Sequence, residues 1–250
     1  MVEKGDAKEL AELMQQNPGF DVNMDHGSRC TLLHFACRDG SRSAVIPLLL
    51  AHPDIDVNLK DKGGSTPFLS ACRFGFASCV REMLKDSRVK VNEATNYGET
   101  PLWWVAYDGH VAVIKVWIAS GREMDLGTPG DISKADAIGM AKMYGHAEAV
   151  TLLERFKRDA AQTKHATRVE LGLLDAMAAE MFALVVFVSD GLLQIKDTTT
   201  PSPAARFFKI ARRLPLELQM LLCFRQVGSD KEILPGKDSE VAFKELARKL

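Results

Sequence analysis

The feature that most constrains this chain is a period in its first half. The block Thr31-Leu32-Leu33-His34-Phe35-Ala36-Cys37-Arg38-Asp39-Gly40 returns as Thr66-Pro67-Phe68-Leu69-Ser70-Ala71-Cys72-Arg73-Phe74-Gly75. It comes again as Thr100-Pro101-Leu102-Trp103-Trp104-Val105-Ala106-Tyr107-Asp108-Gly109, and in eroded form as Asp136-Ala137-Ile138-Gly139-Met140-Ala141-Lys142-Met143-Tyr144-Gly145. The starts are 35, 34 and 36 residues apart, and an Asn preceded by Val (Asn23, Asn58, Asn92) stands eight residues before each of the first three. A period of this length makes each unit one supersecondary element that cannot bury its apolar side alone, so successive units must stack.

Each unit reads as a helical hairpin. Thr at the block start offers a hydroxyl to cap a helix, and Pro67 and Pro101 suit the first helical turn. Small residues at Ala36/Cys37, Ala71/Cys72 and Val105/Ala106 let neighbouring helices approach closely. Gly40, Gly75, Gly109 and Gly145 can adopt the left-handed conformation that ends a helix. A second helix follows, with apolar residues at helical spacing: Val45, Leu48 and Leu49; Val80, Met83 and Leu84; Ile114, Trp117 and Ile118; Val150 and Leu153. Gly64 and Gly98 fall in the turn before the next Thr.

These blocks resemble the ankyrin repeat family, whose T-P-L-H-x-A signature recurs at about 33 residues. Thr66-Pro67, Thr100-Pro101, Gly109-His110, Gly145-His146, Asp21-Val22-Asn23 and Asp56-Val57-Asn58 carry the likeness. It implies an all-α solenoid of about four repeats over residues 1–156, opened by a half repeat at Gly5 to Met14. It also implies that His34, His110 and His146 hydrogen-bond between units. Three departures stand out. Ser28 and Arg29 replace the expected turn glycine at the first hairpin tip. Pro47 falls within a second helix, which it should bend. Asp136-Ala137 replaces Thr-Pro in an atypical last unit.

Beyond about Glu154 the period stops, and residues 157–250 read as a small helical bundle. Glu154 to Thr167 can extend the last repeat helix. Val169 to Lys196 is apolar almost all round, as a buried helix is. The stretch 197–203 reads as a linker, with Thr200-Pro201 and Ser202-Pro203 as proline-directed phosphorylation dipeptides. Helices are expected over Ala204 to Arg213, from Pro215 towards Gln226, and from Asp238 or Ser239 to the end, after a loop at Lys231 to Asp238. Leu214-Pro215-Leu216-Glu217-Leu218 resembles the opening of an F-box, a module that docks to ubiquitin-ligase adaptors. A plain core helix opened by Pro is the alternative, and a SOCS-box match is shorter still.

Composition excludes several classes. The chain is 46% hydrophobic and 26% charged with a net charge of −1, which is ordinary globular usage with no global pull towards nucleic acid or an anionic membrane. Residues 1–154 hold 16 basic against 21 acidic residues and the remainder 16 against 12, a mild asymmetry. Arg206, Lys209, Arg212 and Arg213 recur at helical spacing as a solvated face. Five cysteines without a C-x-x-C pair and an N-terminus without an apolar leader favour a reducing, intracellular setting. Asp175, Glu180 and Asp190 interrupt the most apolar run, so it is not a membrane span. No phosphate-binding, metalloprotease or nucleophile-elbow motif occurs, and no histidine pair has metal-ligand spacing, so neither an enzyme nor a cofactor is expected. Cys37 and Cys72 share a repeat position and read as small buried hydrophobes rather than a zinc or redox pair. Trp104 and Trp117 fall at core positions; Trp103 either fills volume or anchors a partner.

The expectation is therefore a scaffold or adaptor that binds a protein partner of unnamed identity on a preformed concave surface. The resemblance places contacts at the turn and post-Ala positions. These are Gly27, Ser28 and Cys30; Arg38 and Asp39; Lys62, Gly63 and Ser65; Arg73 and Phe74; Asn96, Tyr97 and Glu99; and Tyr107 and Asp108. Arg38, Arg73, Phe74, Tyr97 and Tyr107 are the expected anchors, because aromatic and arginine side chains dominate interface energetics. Two rival readings remain: a ubiquitin-ligase substrate adaptor, and an enzyme or small-molecule domain in the C-terminal half.

Overall fold

A computed structural model describes residues 7–17, 19–127, 136–194, 202–229 and 236–247. It divides into two compact units, Met1–Lys164 and His165–Leu250.

The first unit is a run of helical hairpins. A leading helix α1 (Ala7–Gln16) is followed by α2 (Leu32–Cys37) and α3 (Ile46–Leu50), then α4 (Pro67–Arg73) and α5 (Ala77–Leu84). After them come α6 (Pro101–Asp108) and α7 (Val111–Ser120), and α8 (Ala137–Met143) and α9 (Ala147–Arg158). First helices pack in the order α2, α4, α6, α8 and second helices in the order α3, α5, α7, α9, so each hairpin touches the hairpins before and after it. Three first helices start as expected. The Thr66 hydroxyl accepts the Leu69 N–H, Thr100 the Trp103 N–H and Asp136 the Gly139 N–H, each satisfying a donor the helix leaves open. Ala36, Cys37, Ala71, Cys72, Val105 and Ala106 are all fully buried between neighbours. The two largest fully buried side chains among the described residues join two hairpins: Phe68 of α4 meets Trp117 of α7 edge to face at 5.1 Å.

Junctions between hairpins are built from glycine and histidine. Gly75, Gly109 and Gly145 end first helices at φ +73°, +70° and +76°. The His110 ring lies against Gly75 and donates through Nε2–H to the Arg73 carbonyl at 3.1 Å; the His146 ring lies against Gly109 and donates to the Tyr107 carbonyl at 2.8 Å. His34 does comparable work one turn earlier. Its Nε2 meets the Ser65 carbonyl at 3.1 Å while Nδ1 faces the Thr31 N–H at 3.2 Å. A carbonyl can only accept, so the proton sits on Nε2, and burial holds the His34 pKa below the ordinary imidazole value.

The repeated asparagines form a second set of rungs. Asn23 donates to the Asp54 carbonyl at 2.7 Å and accepts from the Asp56 N–H at 2.9 Å. Asn58 repeats the pattern on Arg88 and Lys90 at 2.9 and 2.8 Å, and Asn92 accepts from the Asp125 N–H at 3.1 Å. Arginines add a third: Arg88 reaches the Leu50 carbonyl at 2.6 Å, and Arg122 reaches the Leu84, Asp86 and Val89 carbonyls at 3.3, 2.7 and 2.6 Å.

The structure corrects several sequence expectations. Gly40 is not left-handed. It opens a 3-10 segment, Gly40–Val45, and the ring of Phe76, which replaces the junction histidine, packs 2.8 Å from where a Cβ would stand. Pro47 does not bend a continuous helix. The second helix of that hairpin is split, and Pro47 sits in the first turn of α3, where no N–H is needed. The stretch after Glu154 is not one extension: α9 ends at Arg158, Asp159 is extended, and α10 (Ala160–Glu170) follows. Val169 to Lys196 is likewise broken, by Gly172 at φ +65°.

In the second unit α11 (Leu174–Ser189) packs against α12 (Pro203–Ala211), α13 (Leu216–Val227) and α14 (Gly236–Ala247). Ala178, Ala179, Phe182, Ala183 and Val185 of α11 form the core with Ala211, Cys223, Phe224 and Ala242. The Ser202 hydroxyl caps α12 by accepting the Ala205 N–H at 3.2 Å, and Pro203 of the expected linker is the first residue of that helix; residues 197–201, with Thr200, lie outside the described residues. α14 begins at Gly236, so the expected loop cannot run on to Asp238. An open recess of about 590 Å³ is lined by His165, Val169, Leu174, Asp175 and Ser229. Among the described residues no single helix is long and apolar enough to cross a membrane; α10 and α11 together pass that test but are bent by 98°.

Candidate partner-binding surface

The expected contact residues lie on the hairpin tips and at the ends of the first helices. Each tip closes on itself through a backbone bond: His26 N–H to Cys30, Asp61 to Ser65 and Thr95 to Glu99. Tips are also tied to each other, the Lys62 N–H donating to the Ser28 carbonyl at 3.0 Å and the Asn96 N–H to the Gly63 carbonyl at 3.1 Å. Gly64 and Gly98 turn at φ +83°, whereas the first tip turns through Ser28 and Arg29 at φ +57° and +59°, a strained pair of non-glycine residues.

The expected contact residues divide by what they already hold. Arg38 donates to the Asp61 carboxylate at 2.8 Å and to the Cys30 sulfur at 3.2 Å. Asp39 accepts from the Ser41 N–H and hydroxyl, and these bonds hold its carboxyl below the usual range. Asn96 donates from its side chain to the Lys62 carbonyl, and Glu99 accepts from the Thr95 hydroxyl. These four brace the tips and first helices. Lys62, Arg73, Phe74, Tyr97, Tyr107 and Asp108 face solvent wholly or in part, with Phe74 50% and Tyr97 81% exposed.

An aromatic cluster lies among the first helices. Trp103 stacks on Tyr107 at 5.3 Å and meets Trp104 edge to face at 5.0 Å; Tyr107 meets Tyr144 of the next hairpin at 4.3 Å. The Arg73 guanidinium lies 4.0 Å above the Trp104 ring, a cation–π contact. Tyr144 is 47% exposed, and the neighbouring Tyr107 hydroxyl, by hydrogen bonding, raises its pKa above the ordinary phenol value. The indole N–H groups of Trp103 and Trp104 have no acceptor among the described residues.

Trp104 was expected in the core and is instead half-buried beneath Arg73. Trp117 is buried as expected. Trp103 both packs on the core and takes part in the cluster. Tyr144 and Met143 were absent from the expected contact residues. Their signal was their register: Tyr144 stands immediately before a helix-ending glycine, as Phe74 does.

The buried cysteines are chemically quiet. Cys37, Cys72 and Cys79 lie near one another, all free, and burial pushes the Cys37 and Cys72 thiols well up, so they stay protonated at neutral pH. Among the described residues no group of three His, Cys, Asp or Glu side chains gathers as for a metal.

A family profile for ankyrin repeats, three copies long, matches residues 1–93 and again 33–129. No curated protein sequence matches the chain. Stacked hairpins, glycine–histidine junctions and a profile match over more than half the sequence lead to one conclusion: the chain belongs to the ankyrin repeat family.

Proposed function

We propose that this protein is a non-enzymatic interaction module that captures a protein partner on the side built from hairpin tips and first helices. Phe74, Trp104, Tyr107 and Tyr144 form the contact centre. The observation that carries this reading is the aromatic cluster: large, partly exposed rings held by junction bonds that exist before any partner arrives. A surface fixed in advance loses little ordering entropy on association, and buried aromatic anchors commonly contribute about 2 kcal/mol or more each at an interface. Replacing Phe74 and Tyr107 with alanine is expected to abolish recovery of partners in quantitative affinity purification while the thermal unfolding profile is retained. Equal recovery by a folded double variant overturns the proposal.

A second docking segment is favoured by one observation. Leu216 and Leu218, in the F-box-like opening of α13, are 57% and 47% exposed, while Cys223 and Phe224 further along the same helix lie in the core. We propose that they offer a contact for a ubiquitin-ligase adaptor, which would make the protein a substrate-recognition adaptor. Co-purification of such an adaptor, lost in a folded Leu216→Asp/Leu218→Asp variant, supports this; failure to recover any adaptor refutes it.

A further inference from the structure

Arg38 and Arg73 occupy the same repeat position, and only one of them has an acid. Arg38 is neutralised at 2.8 Å by Asp61, which the following hairpin tip supplies. In the next tip that position is Thr95, a buried residue whose hydroxyl turns to Glu99 of its own turn. Arg73 therefore has no carboxylate from the tip that would serve it, and among the described residues its guanidinium makes no ion pair or hydrogen bond. It is exposed, and the Trp104 ring 4.0 Å below holds it in place.

From this we infer that the partner segment carries a carboxylate for Arg73 flanked by an apolar or aromatic side chain for the Trp104–Tyr107–Tyr144 cluster. The inference rests on the proposed contact surface and specifies its ligand chemistry. A guanidinium fork matches a carboxylate in two parallel hydrogen bonds. One unpaired guanidinium, with Asp108 exposed on the next first helix, suits a monoanionic carboxylate rather than a dianionic phosphate. The flanking group is apolar because the charge sits on a patch of rings that gains by losing water.

The test uses the full chain and a displayed library of random peptides of about 12 residues as the probe, an extended-segment mode of recognition. Selected peptides are expected to pair Asp or Glu with Trp, Phe, Leu or Met. A synthetic copy is expected to bind with salt-sensitive affinity and to perturb tryptophan emission. Arg73→Gln is expected to weaken it at least about 10-fold and Arg73→Lys by less, as loss of a charge-assisted fork predicts. Peptides that need Phe74 and Tyr107 but ignore Arg73 overturn the inference and leave the contact surface standing. Peptides indifferent to Phe74→Ala/Tyr107→Ala overturn both. A selection that enriches no acid-and-apolar pairing also overturns the inference.

Discussion

Gly109→Ala should separate two costs that usually arrive together. Gly109 sits at φ +70°, where alanine costs about 1–2 kcal/mol for its Cβ alone. That Cβ would also stand 2.4 Å from His146 Nδ1 and 2.6 Å from its Cγ, about 1 Å inside contact distance. The ring must retreat, and its 2.8 Å bond to the Tyr107 carbonyl goes with it, a further loss of about 1 kcal/mol. Gly145 supplies the control, with φ +76° and nothing within 4 Å, so Gly145→Ala carries the backbone cost only. Urea unfolding is expected to place Gly109→Ala about 1–2 kcal/mol below Gly145→Ala. In a His146→Ala background that gap should close, because the clashing ring is gone. Equal destabilisation by the two alanines, or a gap that survives loss of the imidazole, refutes the histidine's role at this junction.

Two further outcomes follow from the same stack. His34 is buried with its pKa held below the free value. The unfolded chain therefore takes up a proton at this residue before the folded one does. Stability from neutral His34 is complete above about pH 6.5 and falls as pH drops through that value towards the lower folded pKa. His34→Leu, the residue type at the matching Leu69, should flatten this part of the profile as pH falls from neutrality towards the folded pKa; an unchanged slope contradicts the assignment. Arg122→Ala removes three bonds to carbonyls of the preceding hairpin and should cost about 2 kcal/mol in chemical unfolding. Arg122→Lys should recover only part of it, since one ammonium cannot span the three acceptors; full recovery would mean that charge alone matters.

The stack was legible because its determinants are local and repeated: a capping hydroxyl at three block starts, an early proline in two of them, and a terminal glycine every 34 to 36 residues. Three kinds of feature were not. Trp104 occupies a core register, yet its burial depends on what the neighbouring units place beside it, and one of those neighbours is Arg73. Gly40 carries the helix-ending residue without the helix-ending conformation, a difference that its own block does not announce. The carbonyl-bound arginines Arg88 and Arg122 leave no sequence trace, since their acceptors are backbone oxygens that every residue has. Repeat position assigned the expected contact residues to hairpin tips and first helices. It could not say that Arg38 and Asp39 were already spent on internal partners while Arg73 was not.

The ties between hairpin tips include main-chain bonds from Lys62 to Ser28 and from Asn96 to Gly63, and the Asn96 and Lys60 side chains add to them. Lys62 contributes only its backbone to that register, and Tyr97, whose N–H bonds the Thr95 hydroxyl of its own turn, contributes nothing to it. Substitutions there change the chemistry shown to a visitor without loosening what holds the fingers in line. A lineage carrying this chain could trade one binding preference for another at such sites while its architecture stayed under no added strain.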